Sequence, residues 1–147
     1  MRMTTDVALR RLRDARVARL ATADASGAPH LVPVTFAVLD PPAGESTLTI
    51  VFAVDHKPKS TTALRRLANI AANPRVCWLV DRYDDDWDQL WWVRADADAA
   101  VLEGPARVLA ITGLQAKYQQ YQRFPPHDVV VGSSVTGLRG WQASLGG

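Results

Sequence analysis

The sequence predicts a mainly β, α+β fold, an antiparallel barrel with helices packed on its outside. Three observations lead there. Strand-type and helix-type runs follow in the order helix, three strands, helix, two strands, helix, strand, which suits such a barrel and not a doubly wound sheet. The 147 residues, 48% hydrophobic and 22% charged, match one compact domain covering residues 1–147. A single cysteine, Cys77, excludes a disulfide scaffold, so burial must supply the stability.

Residues 5–15 read as an amphipathic helix capped by Thr5 or Asp6, with Val7, Ala8, Leu12 and Ala15 on one face. Residues 17–22 and 30–39 form a hairpin around the turn-rich stretch 24–29. Pro33 cannot donate a ladder hydrogen bond and so marks an edge or a bulge. Residues 47–54 carry no polar residue after Thr49, which predicts a strand buried on both faces. Leu64, Leu67, Ala68 and Ala71 recur at helical spacing behind a Ser60 or Thr61 cap, and Asn73-Pro74 ends that helix. Strand character resumes at 75–80 and, beyond an acidic loop at 84–88, at 90–102. Gly104-Pro105 opens a longer helix to about residue 123, with Ile111, Leu114, Tyr118 and Tyr121 on one face. Residues 129–135 are the last strand, and 137–147 a tail containing Trp141.

Arg outnumbers Lys 14 to 3 and Asp outnumbers Glu 13 to 2, a bias that reads as GC-rich coding. Residues 1–20 hold six Arg against two Asp, and residues 81–98 hold seven Asp against two Arg. These opposite charges keep the surface soluble or meet across an interface. A nucleic-acid binder shows one dominant basic face with interleaved aromatics, so no nucleic-acid partner is expected. No apolar run approaches the ~18 residues of a membrane span, and the arginine-rich start lacks a signal-peptide block. The expectation is a cytoplasmic protein with no membrane partner.

The best local signal is the segment from Val54 to Thr62. A buried strand feeds a loop bearing Lys57 and Lys59, two of only three lysines, and the loop runs into a helix start at Ser60 and Thr61. Unpaired N–H groups and the positive dipole end of that helix, with two ammonium groups, make an anion pocket suited to a phosphate. The alternative is a solvated basic loop followed by an ordinary Ser/Thr cap. Rival motifs fail. Gly132 to Gly137 has the glycine spacing of a P-loop but lacks its Lys and its hydroxyl on the metal, and no G-x-G-x-x-G occurs. His30, His56 and His127 are scattered and no cysteine pair exists, so no metal site is expected. Asp84, Asp85, Asp86 and Asp88 lack the glycine and terminal Glu of a calcium loop. Cys77, between apolar neighbours in a strand, reads as an inert core thiol.

Four of five tryptophans, Trp78, Trp87, Trp91 and Trp92, fall within fifteen residues. Adjacent strand residues point to opposite faces, so Trp91 and Trp92 cannot both enter one core. One of them meets a helix, a subunit interface or a ring-shaped ligand.

Five ordered segments, at 16–24, 29–36, 55–60, 73–76 and 91–96, together resemble the pyridoxamine 5′-phosphate oxidase-like superfamily of FMN-binding split barrels. Within it they resemble the branch that uses the deazaflavin coenzyme F420. The likeness covers residues 5–144. It implies a six-stranded antiparallel split β-barrel with flanking helices, forming a homodimer with two flavin-type cofactors in clefts between the subunits. It further implies that Val32, Pro33, Val34 and Thr35 line the ring system, partly through backbone groups, with Ala53 and Val54 alongside. Lys57, Lys59, Ser60 and Thr61 would hold the phosphate. Trp92 would cover the ring from the partner chain, and Trp141 likewise. Oxidases of the superfamily carry an arginine-rich phosphate loop and a C-terminal Arg/Trp motif. Here the loop is lysine-based and only Arg139-Gly-Trp141 echoes that tail, so oxidation of a B6 vitamer is not expected.

The resulting expectation is an F420-dependent oxidoreductase that passes a hydride to a small organic substrate. The alternatives are an FMN enzyme of the same fold or a non-catalytic F420 carrier. No side chain stands out as an acid or base, His30 and Tyr83 being the nearest candidates.

Overall fold

In a computed structural model of the chain, residues 1–54 and 61–143 are described, with backbone alone at 61–63. The elements are α1 (Thr5–Asp14), β1 (Ala18–Ala23), β2 (Pro29–Val34), β3 (Ala37–Leu39), β4 (Thr49–Ala53), α2 (Thr61–Ala72), β5 (Arg75–Arg82), β6 (Trp91–Val101), α3 (Gly104–Lys117), α4 (Gln119–Arg123) and β7 (Val130–Gln142). A 3-10 turn, Trp87–Gln89, precedes β6.

Seven strands, not the six expected, form one sheet in the order β2-β1-β5-β6-β7-β4-β3, every adjacent pair antiparallel. The extra strand arises because the run at 30–39 breaks in two at Thr35-Phe36. Its halves become the two opposite edges of the sheet. Laid flat, seven strands would separate those edges by about 29 Å, whereas the link from Val34 to Ala37 reaches only about 10 Å. The sheet must therefore curl until its edges meet, and the break is where the half-barrel splits. Pro33 lies on the edge strand β2, where a missing N–H costs no ladder bond.

The concave side is filled by alternate residues of each strand. Trp78 is fully buried there, with Phe36 at 5.8 Å and Phe52 edge-on at 5.6 Å between ring centroids. Its indole Nε1 donates to Ser133 Oγ at 3.3 Å, which keeps that polar atom satisfied inside the core. As expected, β4 is buried on both faces. Ile50 and Phe52 belong to the barrel core, and Val51 packs with Ala110, Leu114 and Tyr118 under α3.

Helix α1 buries Ala8 and Leu12, and its cap is Thr4, one residue before the expected positions, accepting from Val7 N–H. The inward face of α2 also differs from expectation. Asn69 and Ile70 are buried while Leu64 and Ala68 are exposed, because Asn69 Nδ2 donates to Thr22 Oγ1 at 3.0 Å and so replaces an apolar contact.

The final strand runs to Gln142, so Trp141 belongs to β7 and not to a tail. Two glycines mislead there. At Gly137 the β6–β7 register shifts, Thr136 being the extra residue, with its hydroxyl donating to Asp96 O at 3.1 Å. At Gly140 a Cβ would lie 2.6 Å from Met3 Sδ, so glycine is needed for the N-terminal segment to pair with the strand's end. The long helix expected at 104–123 is broken at Tyr118, which adopts φ −120°, ψ 119°.

Candidate functional site

Period-two alternation sorts the strands into an inner and an outer row. Ala18, Leu20 and Thr22 of β1, Val76, Trp78 and Val80 of β5, and Val93 and Ala95 of β6 face inward. Their neighbours face outward, and the pairing register aligns Pro33, Arg19, Leu79, Arg94 and Arg139 across five strands. A groove of about 410 Å³ crosses this outer face, and no helix residue lines it. Leu31, Leu79 and Trp92 supply its apolar walls, Tyr83 stands at its rim, and Arg19, Arg94 and Asp81 bring charge. Arg94 lies 5.8 Å from the Trp92 ring centroid, and Arg19 is 3.8 Å from Asp81. Leu31 is 66% and Tyr83 72% exposed, so large apolar groups stand open to water beside one another.

Of the residues expected to line a ring, Pro33 and Thr35 are exposed. Val34 is buried inward and Val32 packs partly against the core, so these two could offer only backbone groups from the edge strand. β3 pairs with β4 as Ala37 with Val51. Continuing that register two residues back brings Thr35 level with Ala53, at the split of the barrel. Ala53 is half-buried, and Val54 is buried with its N–H bonded to Val129 O.

Trp92 and Trp141 are direct cross-strand partners on the outer face. Trp91, facing the other way, packs against the core with Arg11 4.8 Å above its ring. The opposed tryptophans thus divide as period two requires. Trp92 is separated from β2 by β1 and β5, about 14 Å across the sheet. Lys57, Lys59 and Ser60 lie outside the described residues, and Thr61 is placed only as the first residue of α2.

Several groups have displaced proton affinities, His30, Cys77 and Lys117 among them. Burial, and then Arg65 and Arg66, push the His30 imidazole below its usual range. Burial and then Asp96 raise the Cys77 thiol, which keeps it protonated and inert. Cys77 does not sit in the core as expected but lines the outer groove. Burial, and then Arg16, press Lys117 down to about 8. Arg66 also lies beside the split end of β4. This half-buried guanidinium lies 5.6 Å from the Phe52 ring centroid, one residue before Ala53. Only its stacking on an aromatic reveals it, and helical periodicity carries no sign of that. Among the described residues, no group of three or more His, Cys, Asp and Glu could hold a metal ion, and no helix is long and apolar enough to cross a membrane.

A curled antiparallel sheet, split at Thr35-Phe36 and bearing an uncovered aromatic groove on its outer face, defines a split-barrel protein. The chain belongs to the pyridoxamine 5′-phosphate oxidase family, whose profile matches residues 4–137. No curated protein matches it in sequence. Among solved structures, it is similar to an FAD-binding protein from Mesorhizobium loti, at 18% identity over 98% of each chain and a TM-score of 0.68. It is also similar to the FAD-binding protein from Mycobacterium smegmatis, at 17% identity over 97% of this chain and 98% of that one, TM-score 0.66. The heme storage protein HutZ from Vibrio cholerae matches at 19% identity over 94% of each chain, TM-score 0.58.

Proposed function

We propose that two copies of this chain, each one domain, pair through their outer sheet faces and hold coenzyme F420 in the clefts between them. The complex would act as an oxidoreductase on a small electrophilic organic substrate. The observation that carries this reading is the uncovered outer face, where Leu31, Tyr83 and Trp141 stand open to water and Trp92 is half-buried. A second copy is the natural cover. The face holds arginines and aspartates together, Arg19 with Asp81 and Arg94 with Asp96, which suits a self-complementary contact. Pairing would also bring the Trp92 of one copy within reach of the split in the other.

A tricyclic ring fits the residues at the split. Thr35 and the free edge of β2 would present hydrogen-bonding groups to its rim, while Ala53, with no bulk beyond Cβ, leaves room at its side. Lys57 and Lys59, ahead of α2, would hold the cofactor's phosphate, with Ser60 and Thr61 donating hydroxyls. When bound, reduced F420 supplies a hydride. The chain's part is to orient the ring, exclude water with aromatic side chains and leave one ring face to the substrate. No side chain at the split is assigned as proton donor.

The FAD-binding relatives in fold favour a second reading, a flavin in the same cleft. Fluorescence quenching titrations of the purified protein with F420 and with FMN separate the two, and a yellow preparation favours flavin. Oxidation of F420H2 by at least one of a panel of enones, imines and quinones is expected. Binding without turnover of any of them would leave a carrier. Binding of neither cofactor would refute the proposal.

A further inference from the structure

Two elements that the sequence writes as continuous are broken, and the breaks face one another. The strand stops at Thr35-Phe36 and the helix stops at Tyr118. Neither break contains Gly or Pro, and the β-branched and aromatic residues around the first favour continuing a strand. Where local preference is overruled without a local cause, a tertiary or functional demand is acting.

The breaks are tied by two tyrosines. Tyr118 Oη accepts from Phe36 N–H at 3.2 Å and donates to Arg16 O at 2.8 Å, so it satisfies the amide that leaves the ladder. Lys117 Nζ, beside it, donates to Ala15 O at 2.7 Å and lies 3.8 Å from the Phe36 ring centroid. Those contacts account for the buried half of the knot. They do not account for Tyr121, stacked edge-on against Tyr118 at 5.7 Å, whose Oη is 2.8 Å from Thr35 Oγ1. That bond joins an exposed side chain on the solvent side and rescues no buried polar group. Its effect is to fix the orientation of Thr35.

We infer that Tyr121 is a positioning residue of the cofactor cleft, acting through Thr35, with the Tyr118 knot holding the two broken ends in register. This rests on the proposed reading that Thr35 meets the ring.

The test is a binding titration of F420 and FMN with wild type, Tyr121→Phe, Thr35→Val, Thr35→Ser and the double variant Tyr121→Phe/Thr35→Val. Tyr121→Phe keeps the ring stack and removes only the hydroxyl. It is expected to weaken cofactor binding about fivefold, the worth of one neutral hydrogen bond, with an unchanged melting temperature. Thr35→Val should weaken it at least as much, Thr35→Ser should retain affinity, and the double variant should be no worse than Thr35→Val. Tyr118→Phe, by contrast, should lower the melting temperature, since it strands the Phe36 amide. Full affinity in Tyr121→Phe, or losses that multiply in the double variant, would overturn the positioning role alone. Failure of the wild type to bind either cofactor would overturn the cleft itself, and this inference with it.

Discussion

Lys117 offers a quantitative test of how the knot is built. Its ammonium is half-buried over Phe36, with Arg16 adding repulsion, Asp14 a carboxylate acting on it, and the Tyr118 ring 5.3 Å away. Burial brings its pKa from 10.5 to about 8. The unfolded chain therefore binds the proton more tightly, so between pH 8 and 10.5 it carries more protons than the folded one and stability rises with pH. A fully buried group so displaced would contribute about 3 kcal/mol. With half of the side chain open to water, screening reduces this to about 1–2 kcal/mol. Lys117→Met deletes the titration while keeping the stem that packs on Phe36. Thermal denaturation of both proteins from pH 7 to 10.5 should show the wild type gaining about 3–6 °C on the variant, at roughly 3 °C per kcal/mol for this chain length. Melting curves that stay parallel across that range would refute the burial argument, and a wild type that loses ground would reverse its sign.

Other predictions follow from the same geometry. Lys57→Ala and Lys59→Ala should each weaken cofactor binding by about 1.5–3 kcal/mol, the size of a hydrogen bond to a charged group, measured by fluorescence titration. Gly140→Val places a Cβ 2.6 Å from Met3 Sδ and should destabilise the fold by about 1–3 kcal/mol in urea unfolding, with the N-terminal segment displaced from β7. Leu31→Arg adds a charge to the uncovered outer face and should shift the protein to monomer in light scattering while leaving its melting cooperative.

Most strands were legible because alternation survives in Val76-Cys77-Trp78-Leu79-Val80, and the doubly buried β4 was legible because nothing polar follows Thr49. The errors share one cause, that a distant contact decides a local outcome. Gly137 and Gly140 look like strand terminators, yet one sits at a register shift and the other makes room for Met3. Phe36 and Tyr118 look like continuing residues, yet each is turned aside by the bond between them. Leu64 and Ala68 look like the buried face of α2, yet Asn69 takes that place by bonding Thr22. Of the expected site, the two lysines ahead of α2 follow from their spacing and lie outside the described residues, while Thr35 and Ala53 follow only from the resemblance. Thr35 lies in the break between β2 and β3 and Ala53 ends β4, and only the β3–β4 register, continued two residues, brings them level. Arg66 left no trace in periodicity because it packs by stacking on Phe52.

The shared cleft is tested most directly by counting sites in a mixed dimer, one copy carrying Lys57→Ala and Lys59→Ala, the other Trp92→Ala. If lysines and tryptophan come from different chains, one of the two clefts keeps a full wild-type set, and the mixed dimer binds one F420 at wild-type affinity. If each site is built within one chain, both clefts are damaged, no tight site appears, and the account is contradicted.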